Sequence, residues 1–289
     1  MAMKLDEFNK IEKLIVEHTG LSRECFKILT QTFPHIKYET LQSIISYYAR
    51  TKTVKSKLLR LRKRIIDEYH QNIKANEPPG IILRLSVKYD FVPTILARLL
   101  IEDYLNENDL VKNQQVMKTK TNKLLKDSTL INNADLAYEV YLCVLNDDYF
   151  GPISDAAKHC IGLEYEQRLV RIARENKLIF QDEEFLRKDG YDKTPDIKLD
   201  VPIAVNGTVI SWIESKALFG HPKLHEGYEK DQYISYWNRF GTGLIIYWFG
   251  YLETIVNPLE KRFIISDRFP DNITHMDPKS IEVDLNKTV

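Results

Sequence analysis

The sequence has few cysteines, and their spacing excludes two kinds of small protein. Cys25, Cys143 and Cys160 form an odd, scattered set without the Cys-x-x-Cys spacing of a zinc ribbon. They do not suit a disulfide framework, and free thiols fit a reducing compartment. Residues 1–15 carry acids and lack the apolar run of a signal peptide. We therefore expect an intracellular protein.

The chain also has no excess of either charge and no long apolar run. Its 41 lysines and arginines balance its 41 aspartates and glutamates, so that the net charge is zero. Binding to nucleic acid would then depend on a local basic patch. No segment approaches the roughly 18 consecutive apolar residues of a transmembrane helix, and we expect no membrane partner. The length of 289 residues allows two ordinary domains or one large one.

The first half of the chain has the apolar periodicity of helices. Predicted helices at 22–30 and 38–50, and again at 81–89 and 93–105, are separated by short breaks. Each pair resembles a helix–turn–helix unit, although helical hairpins that bind no DNA show the same pattern. The polar stretch 106–123 is predicted to be a flexible connection. We assign a helical, helix–turn–helix-like domain to residues 1–130 and a second domain to residues 131–289.

A basic segment lies between the two helical pairs, because residues 51–64 hold seven cationic side chains and no acid. One interpretation is a face that contacts phosphates, or a nuclear-import signal. The alternative is an ordinary solvated helix face whose leucines point into the core. The cationic residues are Lys52, Lys55, Lys57, Arg60, Arg62, Lys63 and Arg64.

The second half predicts a mixed α/β domain. Residues 194–205 alternate between apolar and polar, as in a half-buried strand. Asn206-Gly207 is a strong hairpin signal, and 208–218 returns as the next strand. A helix at 228–240 and strands near 244–251 and 263–266 follow.

Thr194-Pro195-Asp196 and Glu214-Ser215-Lys216 are the residues of this half that suggest chemistry. Glu214 and Lys216 share one face of a strand because side chains alternate with period two. An aspartate beside them would make a site of two carboxylates and one ammonium. Carboxylate oxygens suit Mg²⁺, and the lysine could position or deprotonate a water aimed at phosphorus. The pattern indicates a metal-dependent nuclease that hydrolyses phosphodiester bonds, although an ion-pair ladder on a half-exposed hairpin has the same residues.

The hairpin register provides a geometric test of this site. A two-residue loop without a bulge would put Asp196 on the face opposite to Glu214 and Lys216. A three-residue loop at 206–208, or a bulge, would bring Asp196 to their face. We predict the second register.

Longer strings around these residues resemble the TPD-motif family of PD-(D/E)XK nucleases, to which the codanin-interacting nucleases of animals belong. The likeness covers most of residues 140–250. The strings that carry it are Gly190 to Asp196, Trp212 to Ala217, Tyr236 to Gly241, Ile246 to Trp248, Val144 to Asp147 and Tyr149 to Pro152. The resemblance implies an α/β (α+β) protein with a restriction-endonuclease-like core, a mixed sheet with a helix on each side. It also implies a codanin-like partner and a nuclear and cytoplasmic location.

The resemblance further implies roles for individual residues. Asp196 and Glu214 would be the ligands of Mg²⁺ or Mn²⁺, and the main-chain carbonyl of Ser215 would be another ligand. Lys216 would orient the attacking water. The substrate expected is DNA, but the resemblance does not supply the physiological one.

Two more side chains are candidates by resemblance, one on each flanking helix. Glu166 would come from the helix before the first strand, and Gln232 from the helix after Lys216. For Glu166 the alternative is an ordinary helical ion pair with a nearby arginine. His221 and His225 are four residues apart without a third ligand in spacing, and we expect surface histidines in a loop.

Two other classes of function compete with the nuclease. The chain could be a scaffold that keeps a nuclease fold with little turnover and binds a codanin-like partner. It could also be a DNA-binding module that acts through its helical half.

Overall fold

The computed structural model describes residues 2–52, 55–107 and 113–277. The chain divides into two compact units: a helical unit of residues 9–160, and a sheet unit of residues 1–8 and 161–289. Residues 131–160 therefore pack with the helical unit. The domain boundary near residue 130 stays a prediction, because compactness alone does not define a domain. No helix of the described residues has the length and apolar character needed to cross a membrane.

The first half is helical, as predicted. Its helices are α1 (Leu5–Glu17), α2 (Ser22–Thr32), α3 (Tyr38–Lys52), α4 (Lys55–Lys74), α5 (Ile81–Tyr89), α6 (Pro93–Glu107), α7 (Gln114–Lys126), α8 (Ala134–Leu145) and α9 (Pro152–Glu175). A 3₁₀ turn at Ser128–Leu130 precedes α8. Whether the helical pairs act as helix–turn–helix units stays a prediction.

The stretch 106–123 is not a flexible connection throughout, so that prediction is wrong for its second half. Helix α7 begins at Gln114, and the Asn113 side chain caps it by accepting a hydrogen bond from the Gln115 N–H at 2.8 Å. Leu125 is buried and Met117 packs against the helical core, so α7 has an apolar stripe among its polar residues. Residues 108–112 lie outside the described part of the chain.

Two buried acids in the helical unit cap the starts of helices. Glu139 on α8 accepts hydrogen bonds from the Gly80 N–H at 2.6 Å and the Ile82 N–H at 2.9 Å, at the start of α5. Asp147 accepts from the N–H and hydroxyl of Thr94 at the start of α6, and from two following backbone N–H groups. Both carboxylates thus satisfy donors that a helix leaves unpaired.

The sheet unit contains a mixed sheet, which confirms the predicted fold class. Its strands are β1 (Ala2–Met3), β2 (Phe180–Asp182), β3 (Ile197–Val205), β4 (Thr208–Lys216), β5 (Gly243–Tyr247), β6 (Tyr251–Leu252), β7 (Phe263–Ser266) and β8 (Ile273–His275). The main sheet has the order β2-β3-β4-β5-β7, antiparallel up to β4 and parallel beyond it, and β8 pairs with β3. Strands β1 and β6 form a separate parallel pair.

Helices lie on both faces of this sheet. Leu169 and Ala173 of α9 belong to the apolar cluster on one face. The other cluster contains Trp212 of β4 together with Tyr233 and Tyr236. Those two tyrosines belong to a continuous helical segment made of α11 (Pro222–Tyr228), a π-helical turn (Glu229–Tyr233) and α12 (Ile234–Phe240). A short helix α10 (Glu183–Lys188) follows β2.

The hairpin of β3 and β4 has a two-residue loop and a large bulge. Val205 pairs with Thr208, so the three-residue loop is wrong, but the bulge is confirmed. The pairs Ile203↔Ile210 and Lys198↔Trp212 leave four residues of β3 opposite one residue of β4. Pro202 lies inside this bulge, where its missing N–H interrupts no ladder hydrogen bond.

The bulge determines which face Asp196 takes. It shifts the register by three residues, an odd number, and an odd shift moves side chains to the opposite face. One step beyond the pair Ile197↔Ile213, Asp196 comes opposite Glu214. The acid of the first strand therefore joins the face of Glu214 and Lys216.

Candidate active site

Asp196, immediately before β3, and Glu214, near the end of β4, face each other. The Ser215 N–H donates to Asp196 Oδ2 at 2.6 Å, and the Asp196 N–H reaches Glu214 Oε2 at 3.4 Å. Glu214 is buried, and Asp196 is half-buried. In the described part of the chain, Asp196 Oδ1 receives no hydrogen bond. One carboxylate oxygen is therefore available to a ligand.

Burial disfavours the charged forms of both acids, and the charge of Glu214 adds to this effect at Asp196. Burial raises the pKa of Asp196 well above its usual range, and the negative charge of Glu214 raises it further. Burial also raises the pKa of Glu214, although the nearby Lys216 ammonium opposes this. A cation between the two carboxylates would offset both effects.

Lys216 is held by polar and aromatic contacts. Its Nζ donates to Glu214 Oε1 at 2.5 Å and to Gln232 Oε1 at 2.9 Å. It also lies 4.6 Å from the centre of the Tyr228 ring and 5.9 Å from that of Tyr233. Burial alone would lower the pKa of Lys216, but the attraction of Glu214 and Asp196 outweighs it, so that the net shift is upward. The side chain is a fixed ammonium.

Gln232 reaches the lysine from the π-helical turn. The turn inserts one residue into the helical repeat, and such turns occur often at functional sites. It directs Gln232 toward Lys216 while Tyr233 enters the buried cluster. The structure thus brings together Gln232, Lys216, Glu214 and Asp196.

The loop of Thr194, Pro195 and Asp196 is held in place by hydrogen bonds from α12. Tyr236 Oη donates to the main-chain carbonyl of Thr194 at 2.7 Å, and Arg239 Nη1 donates to that of Lys193 at 3.1 Å. The Thr194 hydroxyl donates to Glu183 Oε1 at 3.2 Å. These contacts fix the backbone immediately before Asp196.

The Ser215 hydroxyl is engaged elsewhere. Its Oγ accepts a hydrogen bond from Trp248 Nε1 at 2.7 Å, in the apolar cluster that faces α9. The hydroxyl therefore points away from the face of Glu214 and Lys216. The ligand role that the resemblance implies for Ser215 belongs to its main-chain carbonyl, and it stays a prediction.

Glu166 approaches the acids without joining them closely. Its negative charge contributes to the raised pKa of Asp196. Among the described residues, however, Glu166 does not form with Asp196 and Glu214 a cluster whose ligand atoms all lie within 4.8 Å of one another. The predicted alternative is also not observed there, because Glu166 makes no ion pair and Arg168 lies 5.0 Å from the Trp248 ring.

The residues at this site fit a hard divalent cation. The candidate ligands are carboxylate and carbonyl oxygens, which Mg²⁺ and Mn²⁺ prefer. Neither a thiolate nor an imidazole is among the predicted ligands. Which metal the site binds stays a prediction.

Some cationic side chains of the basic segment already contact other residues of the helical unit. Lys57 Nζ lies 3.7 Å from Asp90 Oδ2, and Arg62 Nη1 lies 3.7 Å from Glu102 Oε2. Arg64 lies over the Tyr89 ring. Arg60 and Lys63 are exposed and have no ion pair among the described residues. The side chains of Lys52 and Lys55 lie outside the described part.

Several residues around the site were missed by sequence reasoning. Tyr228 precedes Gln232 by four positions, and this helical spacing could have indicated a second contact to Lys216. His225 was expected to be a surface histidine in a loop, and this is wrong. It lies on α11, its Nδ1 is 2.8 Å from Tyr247 Oη, and burial lowers its pKa. Trp248 had no signal in the sequence beyond its place in a family string, and Glu183 had none.

Comparison with known proteins gives one consistent set of relatives. Residues 132–269 match a family model described as a protein of unknown function with the TPD sequence motif. The chain is 40% identical to CDAN1-interacting nuclease 1 of Xenopus laevis over 256 residues, 87% of this chain and 84% of the relative. For the Danio rerio protein of that name the identity is 39% over 277 residues, 93% and 90% of the two chains. For the Homo sapiens protein it is 38% over 277 residues, 94% and 97%. No solved structure matches the chain.

Proposed function

This chain belongs to the TPD-motif family of the CDAN1-interacting nucleases, and from that premise we propose that it is a metal-dependent nuclease that hydrolyses phosphodiester bonds of DNA. The observation that supports this most is the pair of opposed carboxylates, Asp196 and Glu214, beside the Lys216 ammonium. Perturbed carboxyl groups next to a fixed cation are typical of catalytic sites.

Mg²⁺ or Mn²⁺ would be held by Asp196, Glu214 and the Ser215 carbonyl, with Glu166 assisting. A bound divalent ion lowers the pKa of its water and stabilises charge on the phosphoryl group. Of the three acids, Asp196 has an oxygen without a donor among the described residues, and Glu214 shares one oxygen with Lys216.

Lys216 acts as a fixed cation and not as a base. Its upward pKa shift and its contacts to Glu214 and Gln232 keep the proton on Nζ. An ammonium in this position orients the attacking water or neutralises a phosphate oxygen of the substrate. Gln232 holds the ammonium by accepting one of its N–H groups.

Contacts with DNA outside the site would come from exposed cations of the helical unit. Arg60 and Lys63 are the described members of the basic segment that are free to contact phosphates. A codanin-like protein would be the protein partner, since the relatives are named for their interaction with CDAN1. The location that fits this proposal is the nucleus and the cytoplasm.

A cleavage screen with and without metal tests the proposal. Purified protein is incubated with duplex, single-stranded, flap and junction DNA, and with RNA of matched sequence, in Mg²⁺, in Mn²⁺ or in EDTA. We expect cleavage of DNA that requires metal and falls at least about a hundredfold in Asp196→Ala. Equal cleavage by pure Asp196→Ala would contradict the assignment.

A second candidate is a scaffold with a nuclease fold and little turnover, and the interaction in the relatives' names favours it. It predicts no metal-dependent cleavage of any substrate in the screen, with Asp196→Ala still binding a codanin-like partner.

A further inference from the structure

A second group of ligand-type side chains lies in the helical unit, on α4 and α6. His70 of α4, Asp103 and Glu107 of α6 each offer one ligand atom, and these atoms all lie within 4.8 Å of one another. We propose that this group binds a divalent transition-metal ion of the Zn²⁺ type, independently of the candidate active site.

Two packed helices form the scaffold of this group. Asp103 and Glu107 are four residues apart, so both carboxylates lie on one face of α6. Tyr69 and Leu99, which belong to the buried helical core, lie beside the group on α4 and α6. Side chains on packed helices keep a more constant geometry than side chains on loops.

The imidazole of His70 has a nitrogen suited to a metal. Its Nε2 is shielded from solvent and has no hydrogen-bond partner. It lies 3.5 Å from Asp103 Oδ2, close to a carboxylate oxygen but without hydrogen-bond geometry. The Tyr69 ring contacts the imidazole edge-on at 5.4 Å between centroids and helps to orient it. A shielded imidazole nitrogen without a partner costs free energy that a bound ion would offset.

The charges around the group also favour a cation. Within the described residues, no lysine or arginine pairs with Asp103 or Glu107. The neighbouring Glu102 is different, because it pairs with Arg62 at 3.7 Å. Glu102 is therefore paired with a cation, whereas Asp103 and Glu107 lie beside His70 without one among the described residues.

The ligand types select the class of metal. One imidazole and two carboxylates suit Zn²⁺, and three protein ligands leave the fourth position of a tetrahedral ion to water. Ca²⁺ prefers a larger set of oxygens, and Cu(I) prefers thiolates.

Calorimetric titration of the full chain with Zn²⁺ tests this site. Asp196→Asn serves as the background, because it removes an expected ligand of the candidate active site. We expect this variant to bind one Zn²⁺ ion, and His70→Gln in the same background to bind it at least about tenfold more weakly. Glu107→Gln, an exposed change at the end of α6, should weaken binding in the same direction and is not expected to disturb the core. His159→Gln, at an exposed histidine outside the group, is the control and should leave the affinity unchanged.

The melting temperature of each variant without metal shows whether it is folded. Equal weakening by His70→Gln and His159→Gln, or unchanged affinity in folded Glu107→Gln, would mean adventitious binding and overturn the proposal. Absence of Zn²⁺ binding by Asp196→Asn would overturn it as well. A failure of the nuclease proposal would appear differently, as a lack of DNA cleavage with this Zn²⁺ site intact.

Discussion

The helical unit and the sheet unit both bury acidic side chains, but they surround them with different partners. In the helical unit, Glu139 is 3% exposed and each of its oxygens accepts a backbone N–H at the start of α5. Asp147 is 4% exposed and receives four hydrogen bonds, three of them from the backbone. These acids complete the ends of helices.

In the sheet unit the buried Glu214 faces the half-buried Asp196. Glu214 is 4% exposed, but its contacts are Lys216 and the long bond from the Asp196 N–H. Asp196 has one short backbone donor and the opposing carboxylate. Burial and the charge of Glu214 disfavour ionisation of Asp196, and one ammonium, that of Lys216, lies beside the two carboxylates.

The difference separates a structural acid from a functional one. A carboxylate that satisfies backbone donors stabilises the fold as it stands. Two carboxylates that repel each other make the fold less stable unless a cation binds between them. Such unfavourable arrangements are expected at functional sites. Exposure alone would not distinguish them, since Glu139, Asp147 and Glu214 are similarly buried.

The largest expected effect concerns the ammonium of the sheet unit. Lys216→Met removes the fixed cation while keeping an unbranched side chain. We expect the cleavage rate to fall at least about a hundredfold. The rate is measured at saturating Mg²⁺ and matched concentration of folded protein. A rate within about fivefold of the wild type would show that Lys216 belongs to an ordinary ion pair.

The second effect concerns the helix caps. Glu139→Ala leaves the N–H groups of Gly80 and Ile82 without acceptors, and we expect a loss of about 2 kcal/mol in the free energy of unfolding. Urea denaturation measures this loss, and Glu139→Gln, which keeps one acceptor oxygen, should lose less. Cleavage per folded molecule should not change. A large loss of cleavage in folded Glu139→Ala would remove the distinction between the two units.

The third effect is the pH dependence of stability without metal. Because the pKa of Asp196 is raised above the ordinary value of 3.8, the folded protein binds more protons than the unfolded chain above about pH 4. Stability in EDTA should therefore fall as pH rises from that value, and less so in Asp196→Asn. Urea midpoints from pH 4 to pH 8 test this. Parallel curves for the two proteins would show that the pKa of Asp196 is not raised in the folded protein.

A smaller effect concerns the ring that contacts Lys216. Tyr228→Leu removes a cation–π contact, and we expect cleavage to fall about two- to fivefold. Tyr228→Phe keeps the ring and should restore the rate. The pH–rate profile distinguishes positioning from packing, because a loosened ammonium would shift its alkaline limb. Equal losses in the Leu and Phe variants, with unchanged profiles, would exclude the cation–π contact.

The smallest effect concerns the basic segment. Arg60→Ala and Lys63→Ala should each reduce the slope of log affinity against log salt by about one, because each removes one phosphate contact. Arg62→Ala is the matched control, since Arg62 pairs with Glu102. Fluorescence anisotropy with duplex DNA between 50 and 200 mM salt, roughly the range in which such contacts weaken, measures the slopes. Equal slopes for all three variants and the wild type would exclude this face from DNA binding.

The sequence was sufficient to predict the pairing of Glu214 with Lys216, because alternation on one strand fixes it. It could not decide how Asp196 joins them. That depends on a bulge around Pro202, and the number of extra residues follows from the pairing of β3 with β4. Sequence reasoning left two ways for Asp196 to reach that face, a three-residue loop or a bulge. The structure shows the bulge.

The helical segment that carries Gln232 was also only partly predictable from the sequence. Its apolar periodicity predicted a regular helix, and the extra residue of the π-helical turn was not visible in that pattern. The turn allows Gln232 and Tyr233 to contact Lys216 together. The polar α7 was missed because few apolar residues form its buried stripe. Long-range packing decided both elements.

The most direct test neutralises one acid in each unit and measures Mg²⁺-dependent cleavage of DNA. Asp196→Asn and Asp147→Asn are compared with the wild type, each at the same concentration of folded protein. We predict that Asp196→Asn loses at least about a hundredfold in rate, while Asp147→Asn loses stability and keeps the rate. If Asp196→Asn cleaves like the wild type, or if both variants lose activity equally, the opposed carboxylates are not the catalytic site.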